Sequence, residues 1–61
     1  MYSRQEKTLN SWSVGDPVRW MDKGLGVVVG MNHYMVYVWW ASDGKIWPHA
    51  KDAFWFHAER P

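Results

Sequence analysis

The run Tyr34-Met-Val-Tyr-Val-Trp-Trp40 is apolar at every position, and it constrains the fold more than any other feature of the chain. Side chains of a β-strand alternate with a period of two. Val36, Val38 and Trp40 therefore share one face, and Met35, Tyr37 and Trp39 share the other. A strand with one solvated face alternates apolar with polar residues; a continuous apolar run belongs to a strand covered on both sides. A chain of 61 residues supplies one small core, not two layers. The second aromatic face is expected to meet a partner, either another copy of the chain or a different molecule.

A domain of this length buries roughly 60% of the surface its unfolded chain exposes. With no cysteine, it has neither disulfides nor thiolate-bound metal to staple it. Density must come from six tryptophans, three tyrosines and two phenylalanines. Each ring encloses about 150–250 Å² when fully buried, and together they exceed what one tiny core can take. The formal charge is +1, with Asp16, Asp22, Asp43 and Asp52 interleaved among Arg19, Lys23, Lys45 and Lys51. That balance argues against DNA as the main partner, since unspecific nucleic-acid binding leans on several basic phosphate contacts. No apolar run reaches the length of a membrane span and no signal-peptide pattern opens the sequence, so a cytoplasmic protein is expected.

Residues 1–13 are polar and without a convincing period, and they read as an N-terminal arm. Ser3-Arg-Gln-Glu6 has capping-box spacing, but no apolar helical stripe follows. Tyr2, Leu9 and Trp12 are the residues able to anchor this arm. From 14 to 61 the punctuation is that of short strands. Gly15-Asp-Pro17 turns into Val18-Arg-Trp20, and Asp22-Lys-Gly24 turns into a strand from Leu25 to Met31. Asn32-His33 precedes the apolar run, and Ser42-Asp-Gly44 is a hairpin signal that supplies positive φ. Lys45-Ile-Trp47 is expected to be a short strand stopped by Pro48. A helical turn at 49–52 and a last strand at Phe54-Trp-Phe56 complete a five-stranded small barrel. Val38 and Trp40 are expected to face inward with Val18 and Ile46.

Three segments carry a resemblance: Gly15-Asp-Pro-Val-Arg19, Gly26-Val-Val-Val-Gly30 and Val38-Trp-Trp-Ala-Ser-Asp-Gly44. Their order resembles SH3-like barrels of the Tudor, KOW and chromo-barrel type. In those folds a Gly-Asp turn opens the first strand, a glycine bends the second and an acidic-Gly hairpin joins the third to the fourth. The resemblance implies an all-β, small five-stranded SH3-like barrel over 14–61. A narrower resemblance, on Gly15 to Arg19, Gly26 to Gly30 and Ile46-Trp-Pro48, is to plasmid-borne type II dihydrofolate reductases, tetramers around one pore. The Gln-Ile-Tyr floor of that pore corresponds to Lys45-Ile-Trp47, and Trp20-Met21 stands where the family places its ligand-binding lysine. The carry-over therefore implies an oligomeric barrel more than an NADPH-dependent reductase.

Met35, Tyr37 and Trp39, with Trp47 from the next strand, are the candidate binding residues. Similarity to Tudor-like modules implies methylated Lys or Arg, or Pro-rich peptides, as ligands of such clusters. The competing reading folds the N-terminal arm over these rings and makes them core. Arg19, Lys23 and Lys45 could line a rim or a nucleic-acid edge, although interleaved acids favour a solvated, ion-paired rim. His33, His49 and His57 match no ligand spacing and read as turn and surface residues, so no metal is expected. Asp16 and Asp43 sit in turns, where carboxylates satisfy backbone N–H groups. No nucleophile motif or phosphate loop is present. The sequence thus points to a non-enzymatic binding module without cofactor, for a protein partner or self-assembly. A KOW-like nucleic-acid role comes second, and a type II dihydrofolate reductase-like enzyme third.

Overall fold

The computed structural model describes residues 12–61. The expectations for Tyr2, Leu9 and the Ser3-to-Glu6 box lie outside the described residues. The described chain is a small β-rich domain. Strands β1 (Pro17–Trp20), β2 (Gly24–Met31), β3 (Met35–Trp40) and β4 (Lys45–Ala50) form one antiparallel sheet in chain order, followed by helix α1 (Lys51–His57).

Local chemistry sets each turn. Gly24 takes a φ of 80° where β1 turns into β2, and Gly44 a φ of 67° before β4; only glycine enters that region without steric cost. Asn32 Oδ1 accepts the backbone N–H groups of Tyr34 and Met35, both at 2.8 Å, which fixes the tight turn between β2 and β3. Asp16 Oδ2 accepts the Ser13 N–H at 2.9 Å, and Asp43 Oδ1 accepts the Lys45 N–H at 3.0 Å. Both aspartates thus do the turn-closing work expected of them.

The inner face of the sheet carries the core. Val18, Val28, Val36, Val38 and Trp40 are buried there, joined by Phe54 of α1 and by Trp12. The rings meet edge to face: Trp12 on Phe54 at 5.1 Å between centroids, Trp20 on Phe54 at 6.0 Å and Trp20 on Trp40 at 6.3 Å. Such pairs add roughly 0.5–1.5 kcal/mol beyond the area they bury. Trp12, expected to anchor the arm, is therefore a core residue. Arg60 lies over its ring at 4.4 Å and reaches Asp16 Oδ2 at 3.5 Å, drawing the chain end onto the same corner. Gly26 has a steric role: a Cβ there would lie 2.5 Å from the Trp39 carbonyl oxygen and 2.6 Å from the Trp40 ring. The glycine is what lets that indole lie flat across β2.

Three expectations need correction. Ile46 faces outward, 57% exposed. Trp40 pairs with Lys45, so even positions of β3 oppose odd positions of β4, and Ile46 opposes Trp39. Pro48 does not stop β4, which runs on to Ala50. The Lys51 N–H donates to the Tyr34 carbonyl at 2.8 Å. Counting back along the alternating ladder, residues 49, 47 and 45 turn their N–H groups to β3, while 46, 48 and 50 turn theirs to the open edge. The missing N–H of Pro48 costs the sheet nothing there, and it removes a donor from an exposed edge.

The third correction concerns the last element. The helical turn is displaced from 49–52 to 51–57, and Phe54, Trp55 and Phe56 lie in α1 instead of a strand. A strand would put Phe54 and Phe56 on one face. The helix, turning about 100° per residue, carries Phe56 roughly 200° away and leaves Phe54 alone buried. Asp52 in the first turn and His57 in the last suit the helix dipole. After α1 the chain touches β1 through one bridge: Arg19 and Glu59 exchange two backbone hydrogen bonds of 2.8 Å each.

Candidate binding face

The outer face of the sheet is apolar from edge to edge. Pro17, Val27, Trp39 and Ile46 stand directly opposite one another on β1, β2, β3 and β4 and form one row across all four strands. A second row runs from Gly30 through Tyr37 to Pro48. The Tyr37 ring lies against Gly30, where an added Cβ would be 3.7 Å from it. Met35 opposes Ala50, and Leu25 opposes Arg19 at the other end of the face. Trp39 is 38% exposed, Leu25 51% and Ile46 57%, whereas Met35, Tyr37 and Val27 are half-buried. A bulge between Val28 and Gly30 turns β2, and Val29 stays exposed there.

Met35, Tyr37 and Trp39 thus come together on one face. Trp47 does not join them. It opposes Val38, so it belongs to the other side of the sheet, where its Nε1–H donates to Asp43 Oδ2 at 2.7 Å. That bond, together with the Lys45 N–H, holds the Asp43 carboxyl below its ordinary value of 3.8. The β4 member of the outer row is Ile46. Leu25 and Val27 are not among the binding residues the sequence singles out, and Ile46 is there expected in the core; the alternation Leu25-Gly-Val27 is the signal available for the first two.

The basic residues do not converge. Arg19 is on the outer side of β1, beside Leu25. Lys45 opposes Trp40, on the other side of the sheet. Lys23 sits in the β1–β2 turn, close enough for its charge to act on His49.

His33 and His57 are exposed, but His49 is half-buried on the core side and is not a surface residue. Its Nε2 accepts the Trp40 indole N–H at 3.0 Å, and its ring tilts against Trp20 at 4.9 Å. Accepting through Nε2 requires a neutral ring with its proton on Nδ1. Burial, and then the Lys23 charge, pushes the His49 pKa below its ordinary 6.5. Among the described residues no three His, Cys, Asp or Glu side chains gather as metal ligands, and no helix is long and apolar enough to cross a membrane.

A concavity of mixed polar and apolar lining lies between the β1–β2 turn and the end of α1. It is lined by Trp20, Met21, Asp22, Phe56, His57 and Glu59 and encloses about 540 Å³. Met21 is 88% exposed and Phe56 83%. Compared with known proteins, the chain matches no family model, no curated protein and no solved structure.

Proposed function

We propose that the chain is a non-enzymatic binding module of the SH3-like barrel kind whose outer sheet face is a protein–protein interface, with a second copy of the chain as its most direct partner. The observation that carries this reading is the row Pro17, Val27, Trp39 and Ile46 across all four strands. Monomers seldom leave a contiguous apolar patch of more than a few hundred Å² in water. The face supplies the anatomy of an interface: Trp39 at the centre, flanked by aliphatic neighbours, with Arg19 at the rim. Two such faces can pack isologously, and a net charge of +1 per chain sets little repulsion against that. The exchange of hydrogen bonds between Arg19 and Glu59 supports the barrel reading, since it brings the chain end alongside β1, the edge opposite β4. The scatter of Arg19, Lys23 and Lys45 supplies no single basic edge for a nucleic acid. Sedimentation over a wide concentration range tests the proposal. It expects reversible self-association that Ile46→Asp abolishes without unfolding the chain. A soluble monomer at high concentration that also excludes a hydrophobic dye would defeat it.

A further inference from the structure

The end of β4 belongs to the outer face through Pro48 and Ala50, which stand opposite Tyr37 and Met35, while His49 between them turns to the core side. We infer that His49 is a proton-operated clasp: protonating its ring releases residues 48–50 from the sheet and so dismantles that end of the outer face. The release stands on the geometry around His49, and its effect on assembly rests on the reading of the outer face as an interface. β4 is an edge strand of the sheet, paired with β3. Near its end the backbone donors that grip β3 are the N–H of His49 and the N–H of Lys51, the latter on the Tyr34 carbonyl at 2.8 Å. Pro48 has no N–H to give, and that of Ala50 turns to the open edge. The His49 side chain supplies the hold that the backbone there lacks.

Its Nε2 accepts the Trp40 indole N–H at 3.0 Å, and its ring packs on Trp20 at 4.9 Å. An imidazolium has two donors and no acceptor, so protonation sets the buried Trp40 N–H against another donor. A buried donor without an acceptor is strongly disfavoured. Trp40 is 1% exposed and lies across Gly26, whereas His49 is half-buried on an edge strand. His49 is therefore the partner that leaves. Lys23 acts on it from the β1–β2 turn, and among the described residues no carboxylate forms an ion pair with it. From α1, His57 stacks on the same Trp20 ring at 5.8 Å, and Asp22 and Glu59 line the concavity beside those two residues. From β3 comes the uncharged Trp40. The face of Trp20 attracts a cation, but burial and the Lys23 charge outweigh it and hold the His49 pKa below 6.5. Once released into water, His49 binds the proton more tightly, so acid drives the opening.

The test is a nitrogen-15 NMR titration of the whole chain under monomeric conditions, from about pH 7.5 to about pH 5, with sedimentation equilibrium at both ends. The Trp40 indole N–H resonance should shift with the same midpoint as the His49 ring. Hydrogen exchange at the His49 and Lys51 amides should quicken about tenfold after correction for the intrinsic effect of pH. The amides of Val28 and Ala41, bonded to the carbonyls of Asp16 and Leu25, should keep their protection, which separates release from unfolding. His49→Gln keeps an acceptor for Trp40 but cannot titrate, and it should abolish the transition. His57→Gln should retain it. Self-association should weaken about tenfold in acid in the parent and stay constant in His49→Gln. An indole resonance that ignores the His49 titration, or protection lost uniformly across the sheet, would overturn the clasp. So would a transition that survives in His49→Gln or disappears in His57→Gln. Association unchanged by acid while the amides open would overturn the coupling and leave the interface standing. A monomer at both pH values would defeat the interface reading, with the NMR result still deciding the clasp.

Discussion

Trp39 and Trp40 are neighbours in sequence, yet the pleat turns them to opposite faces of the sheet. Trp40 is 1% exposed, lies across Gly26 and donates its indole N–H to His49. Trp40→Ala removes a core ring and should cost roughly 3–5 kcal/mol in chemical denaturation, a large part of so small a domain's stability. Gly26→Ala should also destabilise, by about 1–3 kcal/mol, because the new methyl meets backbone and an indole that is fully engaged. His49 adds a pH dependence. Its folded-state pKa is depressed, so the unfolded chain binds the proton more readily. Its contribution is complete above the ordinary value of 6.5 and is lost as pH falls through that value toward the folded one. Protonation also ends Nε2's role as acceptor for Trp40. Urea titrations at several pH values should show stability falling below about pH 6.5, with a shallower fall in His49→Gln. An equal fall in both proteins would place the sensitivity elsewhere.

At the scale of elements, β1, β2 and β3 were legible in the sequence because turn residues bracket runs of valine and aromatic side chains. β4 and α1 were harder. A proline in an apolar run reads as a stop, and nothing local says which way its absent N–H would have pointed; that depends on the register fixed at Trp40 and Lys45. Phe54-Trp-Phe56 is equally apolar in a strand or a helix, and only the position of Phe54 over Trp12 and Trp20 selects the helix. The candidate face was partly legible for a related reason. Parity grouped Met35, Tyr37 and Trp39 correctly within one strand, but which β4 residue joins them depends on cross-strand register. That register substitutes Ile46 for Trp47. The helix makes its own prediction. Phe54→Ala should cost about 3–5 kcal/mol, while Phe56→Ala, at an exposed position, should stay within roughly 0.5 kcal/mol of the parent. Thermal melts of the two variants distinguish α1 from a strand, in which both rings would matter equally.

The described residues form one four-stranded sheet with two unlike faces and a short helix. Valines and aromatic rings from Trp12 and α1 cover the inner face, and the described residues leave the outer face open. A chain of 61 residues has mass for one small core, and among the described residues that core lies on the inner face of β3, which is why its outer face is proposed as an interface. The most direct measurement of this claim compares Trp39→Ala with Trp40→Ala, each by thermal melt under monomeric conditions and by sedimentation equilibrium. The account predicts that Trp40→Ala lowers the melting temperature sharply. Trp39→Ala should melt close to the parent but weaken self-association by about 2 kcal/mol or more, as a hot-spot ring does. Equal destabilisation by the two substitutions, with association unchanged in Trp39→Ala, would mean that both rings are buried within a single chain and would contradict it.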